Sequence, residues 1–332
     1  MKKIFSLILI GVLVSGFFIA KGHSSDKKVL KFAYGSNSDV VKQSMAEFGR
    51  LLEEKTNGKL IVEYYPDGQL GTEREFIEMV QTGVIDFTKV AGSALESFAG
   101  LYSIFGLPYL FDNEEHFYRV MDNKEIMDKF YNSTEHLGFV GLTYYDGGQR
   151  SFYTKGRPIT KPEDLKGMKI RVMQSETAIK MISLMGGSPV PMSNSETYTS
   201  LQQGILDGAE SNEFAITTAR HGEVVQYYSY DEHTRVPDIV IMSKNTLDSL
   251  TEEEKKAVYE AAKESTIYQK AKWKEAVAEA KQQMQDEFGV KINYIPNNSE
   301  FRNLTLPMHE EFKQNEATKN VYEEIREMGD KK

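Results

Sequence analysis

Apolar segments alternate with polar, glycine-containing breaks along the first part of the chain. They predict three strands and two amphipathic helices in the order strand, helix, strand, helix, strand, at 29–34, 44–56, 60–65, 72–81 and 86–90. Thr72 and Glu75 have the spacing of a capping box, which marks the start of the second helix. Strands that alternate with helices are typical of a parallel sheet.

The same alternation returns after residue 139. Strands are predicted at 139–145, 151–154 and 168–173, helices at 176–185 and 196–203, a short extended segment at 189–192 and a strand end at 207–211. A later strand at 239–243 can return to the first sheet. The pattern predicts an α/β fold with two sheets, and 332 residues exceed the usual size of a single core.

A long segment without glycine or proline runs from Thr251 to Phe288. Thr251 and Glu254 form another capping box, and Gly289 is a suitable stop. A continuous helix, at about 1.5 Å per residue, would be longer than one small domain. Two interpretations stay open: a bent or broken helix on one domain, or one helix that spans both. A last strand at 290–294 and two short helices follow.

The first residues have the features of an export signal. A basic start, an uncharged apolar run at 4–20 and a polar stretch at 21–26 follow one another. A transmembrane anchor is the alternative, but small polar residues directly after the run favour cleavage near 22–25. The chain has no cysteine, which excludes a lipoprotein anchor, thiol catalysis and cysteine-bound metals. We therefore expect a mature protein that is free in the periplasm and is not stabilised by disulfides.

The charge balance and the absent motifs argue against several function classes without excluding catalysis. The net charge is −9, and it becomes −12 without residues 1–25, which contain three lysines and no acid. Such a chain is poorly suited to nucleic acid or anionic membranes. The GxxxxGK[ST], GxGxxG, HExxH and GxSxG motifs are absent. We therefore predict no cofactor, no metal and no nucleic-acid partner.

Two arginines occur in apolar strand segments. Arg150 lies at the start of one predicted strand, and Arg171 lies within KIRV. Ligands of open α/β sheets bind outside the carboxyl ends of strands. A buried guanidinium needs an acid, and its planar fork matches a carboxylate. An internal salt bridge to one of the 49 acids and a ligand carboxylate are equally open as partners.

Five further polar residues are candidates for ligand contacts, each with a structural alternative. Glu73 is a capping carboxylate or a ligand group in the first turn of a helix. Asn194 is a helix N-cap or a ligand group. Ser211 and Asn212 follow a strand end and form a turn or bind a polyol. His233 is a surface or capping histidine, or lies in the site.

Several motifs together resemble the substrate-binding proteins of TRAP (tripartite ATP-independent periplasmic) transporters. They are GQLGTERE (68–75), GGQRSFYT (147–154), PEDLKGMKIRV (162–172), PMSNSETYTSLQQGILDG (191–208) and the long helix. The resemblance covers about residues 28–325.

The resemblance implies a two-domain periplasmic-binding-protein fold, class II-like, with a ligand cleft between the domains and a long helix that spans them. We expect domain I at 26–147 plus about 236–272, and domain II at 148–235 plus about 273–328. The implied function is binding without catalysis. The implied partners are a small organic acid and the membrane permease subunits, and the chain is expected to be a monomer.

By position in the motifs, the resemblance assigns the ligand carboxylate to Arg171, with assistance from Arg150. It assigns ligand hydroxyls to Glu73 and places His233 in the cleft, and Asn37 is a further candidate. Two departures from the family concern the polar residues. The order Glu210-Ser211-Asn212 displaces the usual amide by one position, and Asn194 replaces a frequent aromatic residue, which suggests a ligand with several hydroxyls.

The segment YYSYDEHTRVPD (227–238) looks most like the uronate-binding members. The preferred ligand is therefore a hexuronate such as glucuronate or galacturonate, and sialic acid and C4-dicarboxylates stay open. The competing hypotheses are an exported enzyme that acts on sugar acids, with Glu73 or His233 as acid or base, and a binding protein that serves a signalling receptor.

Overall fold

The structure is a computed structural model that describes residues 27–36 and 38–329. The expected export signal lies outside these residues. The described strands form two sheets and are Lys28–Tyr34 (β1), Leu60–Tyr65 (β2), Phe87–Ala91 (β3), Phe139–Tyr145 (β4), Gln149–Thr154 (β5), Lys169–Val172 (β6), Ser188–Pro191 (β7), Gly208–Ser211 (β8), Tyr227–Arg235 (β9), Asp238–Ser243 (β10) and Lys291–Tyr294 (β11).

The helices lie between the strands and after them. They are Asp39–Lys55 (α1), Glu73–Thr82 (α2), Glu114–Met121 (α3), Lys124–Ser133 (α4), Glu176–Leu184 (α5), Asn194–Gln202 (α6), Glu213–Ile216 (α7), Lys244–Asp248 (α8), Glu252–Asp286 (α9), Ser299–Gln314 (α10) and Lys319–Glu327 (α11). Helices α3 and α4 were not predicted, although Asn113 and Asn123 cap them through their side-chain oxygens.

The first sheet has the strand order β2-β1-β3-β10-β4. Strands β1, β2 and β3 are parallel, as the alternating pattern predicts. Strand β10 enters antiparallel between β3 and β4, which confirms the predicted return of the chain to this sheet. Phe32, Phe48 and Phe87 are fully buried and pack edge to face or tilted on one side of it.

The second sheet has the order β11-β9-β5-β8-β6-β7. Strand β6 is parallel to β7 and β8, whereas β5 is antiparallel to β8 and β9. Because of this reversal, the start of β5 lies beside the carboxyl ends of β6 and β8. Ser151 therefore pairs with Ser211, and the start of the arginine-bearing strand β5 reaches the edge where ligands of α/β sheets bind.

Two chain segments, 146–148 and 236–237, cross between the sheets side by side. A Cβ at Gly147 would lie 2.5 Å from the carbonyl oxygen of Val236, so only glycine allows this approach. The carboxylate of Asp146 accepts a hydrogen bond from the Gly148 N–H at 2.9 Å and forms a salt bridge with Arg235. The crossing is therefore a close-packed, ion-paired junction.

Helix α9 is continuous over 35 residues, or about 50 Å at 1.5 Å per residue. Its first half buries Ala261 in the core of the first sheet, and its second half buries Met284 in the core of the second. Between them, the Gln269 amide binds the backbone N–H and C=O of Asp146, both at 3.0 Å. The helix therefore spans both sheets, which decides between the two interpretations.

The strands divide between the two ranges that were predicted as domains. Those of the first sheet lie within 26–147 and 236–272, and those of the second within 148–235 and 273–328. The domain boundaries themselves stay a prediction. Within 27–36 and 38–329, no helix combines the length and the apolar character needed to cross a bilayer.

Candidate functional site

Arg171 is a buried cation without an acidic partner. It is the third residue of β6, and its neighbours Ile170 and Val172 are fully buried in the core. Its Nε and Nη2 donate to the carbonyl oxygen of Met192 at 3.1 and 2.9 Å. The side chain is 5% exposed, yet it forms no salt bridge with any residue that the structure describes. Burial lowers the pKa of this guanidinium, although the charge of Glu210 opposes that change.

Arg150, in contrast, has an internal acid. Its Nε donates to Oε2 of Glu210 at 2.6 Å, and its Nη2 donates to Oε1 of Glu210 at 3.0 Å. Both side chains are buried. Of the two partners that the sequence left open, the internal salt bridge is therefore present at Arg150 and absent at Arg171.

His233 extends this ion pair to a buried chain of charges. Its Nδ1 lies 2.9 Å from the Asp231 carboxylate, and its Nε2 lies 3.4 Å from Glu210. Burial lowers the pKa of His233, but the two carboxylates raise it to about 9. Burial acts in the opposite direction on Glu210 and raises its pKa. Arg150 and His233 outweigh burial, and the pKa of Glu210 is lowered to about 2. The interpretation of His233 as a surface residue is wrong, because the ring is fully buried in β9.

Glu73 faces the second sheet from the first turn of α2. The capping interpretation of its carboxylate is wrong: Thr72 and Glu75 form the capping box, and Oε1 of Glu73 accepts instead from the Ala91 N–H at 2.9 Å. Burial raises the pKa of Glu73, while the charges of Lys89 and of Arg171 in the second sheet lower it. The fold thus brings Glu73 and Arg171 within electrostatic reach of each other.

Two further charged residues, Lys89 and Asp238, act on Glu73. They were not among the candidates taken from the sequence. Lys89 is 6% exposed in β3 and forms a salt bridge with Asp238, the first residue of β10. The signal was a lysine inside the apolar strand FTKVA, the same kind of signal that identified Arg171.

The remaining candidates divide into exposed and structurally engaged residues. Asn194 is exposed at the first position of α6, and its N-cap interpretation is wrong because Ser193 occupies that position, with Glu196 in a capping box. Ser211 is half-buried at the end of β8. Asn212 caps α7 and donates to the Gly147 carbonyl at 2.6 Å, so its amide belongs to the crossing. Asn37 lies outside the described residues.

The two halves also meet at the start of α5, which directly follows the Arg171 strand. Ser175 caps α5, as its position predicts. Glu96, which follows β3 in the other half, accepts from Ser175 Oγ at 2.5 Å and from Thr177 Oγ1 and N–H at 2.8 and 3.2 Å. A carboxylate from one half therefore binds the positive end of a helix in the other half.

The site offers a buried cation for binding, and its histidine is engaged by carboxylates. Both nitrogens of His233 face carboxylates, which raise its pKa to about 9 and make it a poor general base near neutral pH. No group of three His, Asp or Glu side chains within 27–36 and 38–329 could hold a metal ion. The two sheets are joined by crossing segments, and we call the boundary between their halves the seam. Arg171 is buried within electrostatic reach of Glu73 across the seam, an arrangement that suits a protein that binds a solute between two halves.

The comparison with known proteins identifies the family. Residues 32–315 match the family model of the bacterial extracellular solute-binding proteins, family 7 (DctP). The chain belongs to this family, which acts outside the cytoplasm. TRAP solute-binding proteins bind small organic acids and work with membrane permease subunits.

Two solved structures and one relative show how far the similarity extends. The uncharacterized protein YiiZ of Salmonella typhimurium is 47% identical over 302 residues, covering 91% of this chain and 92% of YiiZ. A TRAP periplasmic solute-binding protein of Anaerococcus prevotii with bound D-glucuronate has a TM-score of 0.88 and 38% identity, covering 91% of this chain and 98% of that one. Another, of Bradyrhizobium with bound D-galacturonate, has a TM-score of 0.87 and 32% identity, covering 90% of this chain and all of that one.

The charge on His233 gives a testable pH dependence of stability. Its folded-state pKa of about 9 lies above the ordinary value of 6.5, so its stabilisation is complete below pH 6.5 and is lost as the pH rises through about 9. The loss is about 3 kcal/mol. We expect the free energy of unfolding, measured by urea titration, to fall over this interval in the native chain and to stay flat in His233→Gln.

The exposed His136 provides the matched control. His136→Gln should keep the pH profile of the native chain. Parallel profiles for the native chain and His233→Gln would mean that His233 is neutral in the folded protein.

Proposed function

We propose that the chain is the extracytoplasmic receptor of a TRAP transporter that captures a hexuronate, such as glucuronate or galacturonate, and delivers it to the membrane permease. The uncompensated charge of Arg171 carries this proposal. A guanidinium that is buried without an acid needs an anion, and a ligand carboxylate fits its fork. The bound uronates of similar solved structures support a sugar acid.

The other groups around the seam suit the rest of a sugar acid. We propose that Nη1 of Arg150, which donates to no described residue, assists at the carboxylate. We propose that the carboxylate of Glu73, the exposed amide of Asn194 and the hydroxyl of Ser211 bind ligand hydroxyls. His233 acts indirectly, since it holds Glu210 in place against Arg150.

The proposal extends to the processing, oligomeric state and domain ranges of the receptor. We infer that an export signal within residues 1–25 is cleaved and that the mature chain is a monomer with domains at the predicted ranges. Sialic acid and C4-dicarboxylates are the alternative ligands within the same family. Delivery to a signalling receptor would use the same capture step.

A thermal-shift screen tests the choice of ligand. A ligand at 100 times its dissociation constant adds about 2.7 kcal/mol to the free energy of unfolding. We expect glucuronate or galacturonate to raise the melting temperature, while succinate and sialic acid do not. A rise with succinate and none with either uronate would assign the chain to the dicarboxylate receptors.

Replacing Arg171 tests the carboxylate site. Arg171→Ala should cost about 2–5 kcal/mol, because the ligand carboxylate enters a buried site without its partner. That is roughly 30-fold to several thousand-fold in the dissociation constant, measured by isothermal titration calorimetry.

The control is Arg157→Ala, which removes an exposed arginine of the same half. It should bind like the native chain, and circular dichroism checks the fold of both variants. An unchanged dissociation constant in Arg171→Ala would show that the carboxylate binds elsewhere.

Closure of the halves around the ligand accounts for the contact between Glu96 and α5. If this contact forms on closure, Glu96→Ala should leave the melting temperature of the unliganded protein unchanged and raise the uronate dissociation rate about tenfold. Three lost hydrogen bonds justify a net effect of about 1–2 kcal/mol. Stopped-flow displacement measures this rate.

Glu176→Gln is the matched control, since Glu176 lies in the first turn of the same helix and is exposed. It should leave the dissociation rate unchanged. The opposite result would be a lower melting temperature of unliganded Glu96→Ala and a uronate dissociation rate equal to that of the native chain. It would show that Glu96 caps α5 in the unliganded protein as well.

A further inference from the structure

Glu73 lies within electrostatic reach of Arg171 across the seam, and Lys89 and Asp238 act on Glu73 from the same end of the first sheet. We name Glu73, Lys89 and Asp238 the opposing cluster. They belong to α2, β3 and β10, and the backbone brings them together: Asp238 pairs with Ala91 in the sheet, and the N–H of Ala91 donates to Glu73 at 2.9 Å. The opposing cluster is therefore fixed by the sheet and does not depend on flexible loops.

The opposing cluster has no free positive charge. Its single cation, Lys89, already forms a salt bridge with Asp238. With Glu73 ionised, the cluster carries one net negative charge, and with Glu73 protonated it is neutral. In the other half, Arg150 and His233 balance Glu210 and Asp231. Arg171 is thus the one cation of these eight side chains that awaits an anion.

This distribution favours one ligand carboxylate and disfavours two. A carboxylate at Arg171 completes an ion pair. A second carboxylate at the far end of the ligand would meet Glu73 and Asp238, and like charges brought together in a closed, water-poor site oppose binding strongly. Neutral hydroxyls are suited to the same place, because they donate to carboxylates and accept from an ammonium group.

We propose that Lys89 and Asp238, together with Glu73, determine specificity by holding the hydroxyls of a monocarboxylate and rejecting a second carboxylate. This proposal rests on the proposed function of the same site. It assigns the ligand class as polyhydroxy monocarboxylates and excludes the dianionic aldarates and C4-dicarboxylates.

Gluconate and glucarate test the rejection, because both are open-chain acids that differ only in a hydroxymethyl group or a carboxylate at carbon 6. Dissociation constants of glucuronate, gluconate and glucarate are measured by calorimetry for the native chain, Glu73→Gln and Asp238→Asn. We expect the native chain to bind glucarate at least 100-fold more weakly than gluconate. Each variant should reduce this ratio at least tenfold, since one opposing carboxylate is replaced by its neutral amide.

Glu78→Gln is the control, because Glu78 lies exposed on the same helix as Glu73 and its loss should leave the ratio unchanged. A native chain that binds glucarate as tightly as gluconate overturns the inference and leaves the uronate receptor intact. Variants that keep glucuronate binding and still exclude glucarate as strongly as the native chain overturn it as well. A native chain that binds neither these acids nor galacturonate contradicts the proposed function itself.

Discussion

The buried charge of Arg171 is the constraint on which the site depends. The strand pairing explains why this arginine lacks an acid when Arg150 has one. In β8, Glu210 pairs with Phe152, close to Arg150, whereas the residue that pairs with Arg171 is Ala209. The side chain of Ala209 is a methyl group and carries no charge. The carbonyl oxygen of Met192 accepts hydrogen bonds from Nε and Nη2 of Arg171 but does not neutralise the guanidinium. The register of the sheet thus leaves one cation of the seam to be neutralised from outside.

The crossing segments fix how the two halves can move around that cation. Gly147 passes so close to Val236 that neither crossing segment can shift without the other. Asp146 is held by Arg235 from the neighbouring segment and by Gln269 from α9. Rotation of the halves must therefore bend the two segments and the helix together. The contact of Glu96 with α5 joins the two halves away from the crossing segments.

The sequence predicts most of the elements because their signals are local. Capping boxes at Thr72 and Thr251 mark helix starts in the structure as they do in the sequence. Strand β9 escaped prediction because Asp231 and His233 read as polar, although burial and mutual ion pairing make them part of the core. No local pattern reveals such a pairing.

The site was only partly predictable for the same reason. An arginine inside an apolar strand is a local signal, and Arg171 could be identified from it. Whether such an arginine has an internal acid depends on contacts between distant segments: Glu210 is 60 residues from Arg150. Lys89 and Asp238, which form a salt bridge, are 149 residues apart in the sequence. A charge inside an apolar strand can be recognised as buried from the sequence, and only the fold shows whether it is paired.

The pairing also explains how an acidic protein can receive an anion. With a net charge of −9, the chain repels anions at long range, and salt screens that repulsion beyond about 10 Å. Inside the seam the balance is local: in the second half the ion pairs cancel one another, and the charge of Arg171 remains. A monoanion brings the second half of the site to neutrality, and any further negative charge would have no cation to meet. Affinity for an acid and limitation to a single acid group thus have the same physical origin.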